Sequence, residues 1–316
     1  MNLKKEVEIV RHTNMKYLEI FLVEMTARQP HGHDDLEIGI LLEGTLSLSI
    51  ESETYLLKQG DIYIINRYQV HSFLDPSGRN LILAFQIHSD FYRKLNYKLH
   101  YLHFDSNLIR SGHLHQNLTK RLLSCAAAYF AAEPFYELKC TSLLSDALYL
   151  LLHDGSYSVA TEREYQIVQN ATLRINRITE YIAEHYQEPV SLETIAEMEH
   201  ITTYHVSHFM KKMLGISFQE YLNSIRFDHA LRLLSQTDLT IMDVCMESGF
   251  SSSRYLNRMF QKNLGCTVKE YKKGNHKQSP GSQTLPVTNI QKRHSREGSA
   301  LLFGKRYPLP FHAKNS

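Results

Sequence analysis

A chain of 316 residues is longer than one hydrophobic core usually organises, so two domains are expected. Its 43% hydrophobic and 22% charged residues are those of an ordinary globular protein. The net charge of +2 is uneven, at −4 over residues 1–172, zero over 173–273 and +6 over 274–316, and the neutrality of 173–273 argues against a non-specific nucleic-acid binder there. The first residues, MNLKKEVEIVRHT, lack the apolar core of a signal peptide, and the longest apolar run near the middle, 147–152, is far short of the ~20 residues of a membrane span. Cys125, Cys140, Cys245 and Cys266 form no CxxC pair, so these cysteines indicate neither a zinc site nor a disulfide framework, and a cytoplasmic location is expected.

Residues 17–88 read as short strands, YLEIFLVEM, LEIGILLEG, LSLSIES, TYLLK, DIYIIN and LILAFQI, separated by Gly-, Ser-, Asp- and Pro-containing turns. That pattern predicts an all-β barrel or sandwich over 1–100. His31, His33, Glu37 and Gly44 stand in the spacing HxHx3Ex6G, and in an extended chain the two imidazoles and the carboxylate would project from one face. A second segment, GDIYIINRYQVH, brings His71. The two segments resemble the motifs of the cupin family, small β-barrels with a metal-binding set of three His and one Glu. The first motif matches at each defining position. In the second, Asn66, Tyr68 and Asp75 replace the usual Pro, Gly and Asn. Three roles for His31, His33, Glu37 and His71 stay open: a divalent metal site, a pocket for a hydroxyl-rich effector, or hydrogen bonding at the barrel mouth. No cofactor is expected beyond that metal.

Residues 101–154 change to helical spacing. Leu118, Leu122, Cys125, Ala126 and Tyr129 make one stripe, and Leu144, Leu148 and Leu151 part of another. These helices are expected either to cover the barrel or to form a homodimer seam. Residues 155–171 are polar and turn-rich and read as the interdomain linker, with a helix beginning near Thr172.

From Tyr204 the chain reads YHVSHFMKKMLGISFQEY, and from Arg254, fifty positions on, RYLNRMFQKNLGCTVKEY. Apolar residues at helical spacing put Val206, Phe209, Met210, Leu256, Met259 and Phe260 in the core. The opposite faces carry Tyr204, Ser207, His208, Lys211 and Lys212 in the first copy and Arg254, Asn257, Arg258 and Lys262 in the second, with no acid on either. Each copy follows a shorter helix and a tight turn, so two helix-turn-helix units joined by a long helix are predicted over 172–273. Both faces are candidates for DNA contact, the alternative being ordinary solvated helix surface.

This segment resembles the DNA-binding domain of AraC/XylS-type transcription regulators, most specifically in IMDVCMESGFSSSRYLNRMFQKNLGCTVKEYKK. Ala196, Gly215, Gly249, Phe250, Phe260 and Gly265 stand at family positions, with Cys245 where Ala and His200 where Gly is usual. The resemblance implies a multidomain regulator rather than an enzyme: a cupin-like sensor barrel with appended helices, then an all-α domain of two helix-turn-helix motifs. It implies promoter double-stranded DNA as partner, a small effector, often a carbohydrate, a homodimer, and an activator, the commoner family role, in contact with RNA polymerase. A metal-dependent cupin enzyme with an accessory helical domain is the competing reading. Residues 274–316, basic and dotted with Pro, Gly and Ser, are expected to be disordered.

Overall fold

The computed structural model describes residues 15–51, 53–75, 79–274 and 290–307. Seven strands follow in close succession: β1 (Leu18–His31), β2 (Asp35–Glu43), β3 (Thr45–Ile50), β4 (Glu53–Lys58), β5 (Ile62–Ile65), β6 (His71–Leu74) and β7 (Leu81–His88). A short helix α1 (Asp90–Arg93) and a 3-10 turn (Tyr97–Tyr101) lead to β8 (Leu102–Phe104) and β9 (Leu108–Ile109). The antiparallel sheet runs β4-β3-β6-β1-β7-β2-β5-β9, so it curls into a half-barrel with β4 and β9 as its edges. Strands β6, β8 and β9 are absent from the sequence reading, the longest of them four residues, of which two are polar.

The long apolar runs have a simple cause. Leu18, Ile20 and Leu22 of β1 face outward, whereas Phe21, Val23 and Met25 line the inside of the curl, and both sets are buried. Strands β2 and β7 alternate in the same way. The outer face is covered by α2 (Gly112–Ala131) and α3 (Tyr136–Asp154), whose stripes from Leu118 to Tyr129 and from Leu144 to Leu151 lie in that shared core. The apolar stripes therefore serve the sheet.

The tail departs from expectation. Strand β11 (Ile290–Arg293) pairs with β1 along residues 23–27, between the stretch that pairs with β7 and the stretch that pairs with β6. Helix α11 (Arg296–Arg306) then packs Phe303, fully buried, against Phe130, while Arg296 donates to the Tyr129 carbonyl. Residues 290–307 are thus ordered on the sensor half, whereas 275–289 and 308–316 lie outside the described residues. A four-residue strand has no signal of its own; the vacancy along β1 supplies the partner.

The predicted linker is also largely structured. Strand β10 (Tyr157–Val159) pairs with β8, and α4 runs without a break over Glu162–His185. Thr161 and Glu164 cap it reciprocally, so the helix starts ten residues before Thr172, which is buried in its middle. The apolar period is hidden there because the first two turns are largely exposed and the next ones dock on the loops at Gly32 and Tyr68 through the polar Gln169, Thr172 and Asn176.

Ile175, Ile178 and Ile182 of α4 then join α5 (Leu192–Glu199), α6 (Thr203–Leu214) and the first part of α7 (Phe218–Gln236) in one helical core. The second core takes the end of α7, α8 (Ile241–Glu247), α9 (Ser253–Leu264) and α10 (Val268–Lys272). No helix among the described residues is long and apolar enough to cross a membrane.

Candidate nucleic-acid interface and effector site

Helices α6 and α9 are each twelve residues long and offset by fifty positions. Thr202 and Ser252 cap their N-termini, and Gly215 and Gly265 close them in the left-handed conformation. The preceding turns differ: residues 200–202 in the first unit and 248–252 in the second. His200 takes the left-handed conformation at φ 55, which accounts for the frequency of Gly at that family position.

Val206, Met210, Leu256 and Phe260 are buried, as their spacing requires. Tyr204, Ser207, His208, Lys211 and Lys212 are exposed on α6, and Arg254, Arg258 and Lys262 on α9. Arg258 lies 4.5 Å over the Tyr255 ring, and Tyr255 is held by the Asn223 amide at 2.6 Å. Asn257 differs from its sequence reading. Its carbonyl accepts the Val268 N–H at 3.0 Å and its amide donates to the Ser253 carbonyl at 3.1 Å, so the side chain is tied into the α9–α10 junction.

In the sensor half, His31 ends β1, His33 sits in the turn at 32–34, Glu37 lies on β2 and His71 opens β6. One extended chain does not present the first three. The chain turns between them, and β1 and β2 reach the same interior from either side of β7. Ring centroids are 4.2 Å apart for His31 and His71, 5.2 Å for His33 and His71, and 6.0 Å for His31 and His33. Each Nδ1 bonds a carbonyl two residues away: Gln29 at 2.8 Å, Asp35 at 3.0 Å and Gln69 at 3.0 Å. A carbonyl only accepts, so Nδ1 carries a proton in each ring, and in His31 and His71 Nε2 offers its lone pair. One nitrogen from each ring falls within 4.8 Å of the others.

Burial, then the Arg28 charge and His33, hold His31 well below its ordinary pKa; burial, then His31 and His33, do the same to His71. Both are neutral at physiological pH. The Glu37 carboxylate accepts from Tyr63 at 2.8 Å and Gln86 at 3.3 Å and lies 3.3 Å from His33 Nε2. Burial alone would raise its pKa, but His33, His71 and Tyr63 outweigh that and leave it below the usual value. Gly39 makes room for Tyr63, since a Cβ there would stand 2.1 Å from the ring.

Tyr63, Gln86, Arg28, Gln291 and Arg293 complete the site, and none was singled out from sequence. Gln86 alone carried a local signal, as the polar residue at an inward position of an otherwise apolar strand. The cavity measures about 50 Å³. His71 Nε2 and Gln86 Oε1 are buried in it without a hydrogen-bond partner among the described residues. Arg293 roofs it, 3.7 Å over the Phe21 ring and 3.2 Å from Glu19.

Comparison with known proteins accords with both halves. Residues 23–145 match an AraC-like ligand binding domain, and residues 195–274 a helix-turn-helix domain. An uncharacterized HTH-type transcriptional regulator of Staphylococcus aureus is 28% identical over 241 residues, 75% of this chain, which itself spans only 31% of that relative. YijO of Escherichia coli, also an HTH-type transcriptional regulator, is 32% identical over 123 residues, 39% of this chain and 44% of its own. Among solved structures, ToxT from Vibrio cholerae aligns over 82% of this chain and 98% of its own at 15% identity, with a TM-score of 0.35. The enzyme reading falls away, because the matched domains and relatives are those of regulators. A ligand-binding domain on the curled sheet and a helix-turn-helix domain built around α6 and α9 give the chain the domain pair of an AraC-type transcription regulator.

Proposed function

We propose that this regulator binds specific promoter DNA through α6 and α9 together, under control of a small effector held at His31, His33, Glu37 and His71. The observation that carries the DNA reading is the pair of equal, acid-free helix faces standing on two separate cores. A helix fits the major groove, and two readers on one rigid connection suit half-sites about one turn, ~34 Å, apart. Tyr204, Ser207 and His208 meet bases in one half-site, and Arg254 and Arg258 in the other, while Lys211, Lys212 and Lys262 meet phosphates. Asn257 supports α10 instead. The target is two different half-motifs. Genome-wide mapping of bound DNA followed by footprinting tests this; no protected site under any growth condition would remove the reading.

Among effectors, the geometry favours a divalent metal ion of the imidazole-preferring kind over a carbohydrate. Three imidazoles anchored through Nδ1 on carbonyls are the usual donor set of such an ion, and Glu37 supplies an oxygen beside them. A bound ion would contribute a positive charge that cross-links β1, the 32–34 turn and β6. Arg28 Nε, 3.4 Å from His31 Nε2, would swing aside. Ligand pockets for organic molecules run to ~300–1,000 Å³, so a sugar would need Gln291 and Arg293 to withdraw. Titration calorimetry with zinc chloride should give one site per chain, lost in His33→Ala and His71→Ala. Silence in the wild type alongside sugar-dependent stabilisation would reverse the preference.

Cytoplasmic location, homodimerisation and activation through RNA polymerase belong to the same reading. Exposed Leu138 and Tyr149 on α3 favour the homodimer, which sedimentation of the full chain tests. A reporter whose expression rises on loss of the protein would make it a repressor.

A further inference from the structure

The segments that carry His33 and His71 are also the seat of the DNA-binding half. Gly32 donates its N–H to Asn176 Oδ1 at 3.1 Å and accepts from Asn176 Nδ2 at 2.9 Å, so one side chain of α4 closes both polar groups of a single peptide residue. Thr172 donates to the Tyr68 carbonyl, and Gln169 donates to the Tyr68 hydroxyl at 2.8 Å. Tyr68 in turn donates its N–H to the His33 carbonyl at 2.7 Å, which ties the two segments together. Val70, next to His71, is buried in the first helical core with Ile175 and Ile178 of α4 and Val206 and Met210 of the reading helix α6. Close approach is obligatory here: a Cβ on Gly32 would stand 2.4 Å from Thr172 Cγ2.

We infer that the contact of Gly32 with Asn176 and Thr172 is a latch through which the state of the imidazole cluster is passed to α6; this rests on the effector-site reading above. Gly32 lies between two of the candidate ligands and has no side chain to absorb a shift. A rearrangement of His31 and His33 around a bound group therefore moves the peptide that Asn176 holds. On the other side, movement of His71 is felt by Val70. Both inputs meet on one face of α4, and that helix shares its core with α6. The warrant is physical contiguity of two sites with a common packed element, each able to bias the seating of that element.

Hydrogen exchange of the full chain, read by mass spectrometry over 169–182 and 204–214, tests the latch without need of a known effector. Gly32→Ala should speed exchange in both stretches by about fivefold or more, as local undocking does. Gly32→Ala with Thr172→Ser, which keeps the hydroxyl and removes the clashing methyl, should return to within about twofold of wild type. A double variant as open as Gly32→Ala alone overturns the latch, as does a Gly32→Ala protein as protected as wild type. In a cycle with His71→Ala and Asn176→Ala, the first change should alter protection of 204–214 by about threefold in the wild type and hardly at all once Asn176 is gone. Independent, multiplying effects, or no effect of His71→Ala at all, would also overturn it. Asn176→Ala should still bind zinc chloride as wild type does. A wild type that ignores zinc sinks the metal reading alone, because the mutational cycle still decides the latch.

Discussion

Arg258 and Asn257 sit side by side on α9, yet only one of them is offered to solvent as a donor. Arg258→Ala should weaken binding to the specific site by about 1–3 kcal/mol and relax preference at one base pair, read by mobility shift against single-position variants of the site. Lys212→Ala should weaken all sequences alike and lower the slope of log affinity against log salt by about one. Asn257→Ala should leave base preference alone and lower thermal stability by about 1 kcal/mol, the value of a lost cap. In the sensor, Tyr63→Phe should destabilise by about 1.5–3 kcal/mol in urea unfolding, since it strips a buried, ionised Glu37 of a donor. The polar face of α9 was legible in the sequence. The internal use of Asn257 was not, because its partner Val268 lies beyond the helix end, where no spacing rule reaches.

At the scale of elements, caps follow the shortest-range rule. Ser217 with Glu220, Thr240 with Asp243 and Thr267 with Glu270 all close as reciprocal boxes, each within four residues of chain. Thr161 with Glu164 obeys the same rule, but the exposed turns that follow carry no apolar period to mark the helix behind it. Strands β6 and β11 were invisible because their four residues, HSFL and IQKR, make no apolar run, unlike the equally short IYII of β5. The return of the tail gives α11 a measurable role: Phe303→Ala should cost about 3–5 kcal/mol, as a buried aromatic does when nothing collapses into its place. Near-wild-type urea unfolding for that variant would contradict the packing of α11 on the α2–α3 pair.

For the molecule as a whole, the two halves are joined by α4 within the described residues, and β11 and α11, which follow the DNA-binding half in sequence, lie back on the sensor. Zinc at about a hundredfold over its Kd should therefore stabilise the full chain by about 2.7 kcal/mol, a gain that disappears in His33→Ala. Local chemistry determined the strands, the caps, the duplicated reading helices and the HxHx3Ex6G spacing, since each depends on residues within a turn or a strand of one another. The tertiary structure alone decided that His31, His33 and His71 converge from two strands and a turn. It also decided that Arg293 closes their cavity from a position 274 residues away from its partner Glu19, and that Asn176 grips the turn between two of the imidazoles. Such contacts follow from which strands pair and which helix docks, and pairing is a property of the packed whole that no short window of sequence contains.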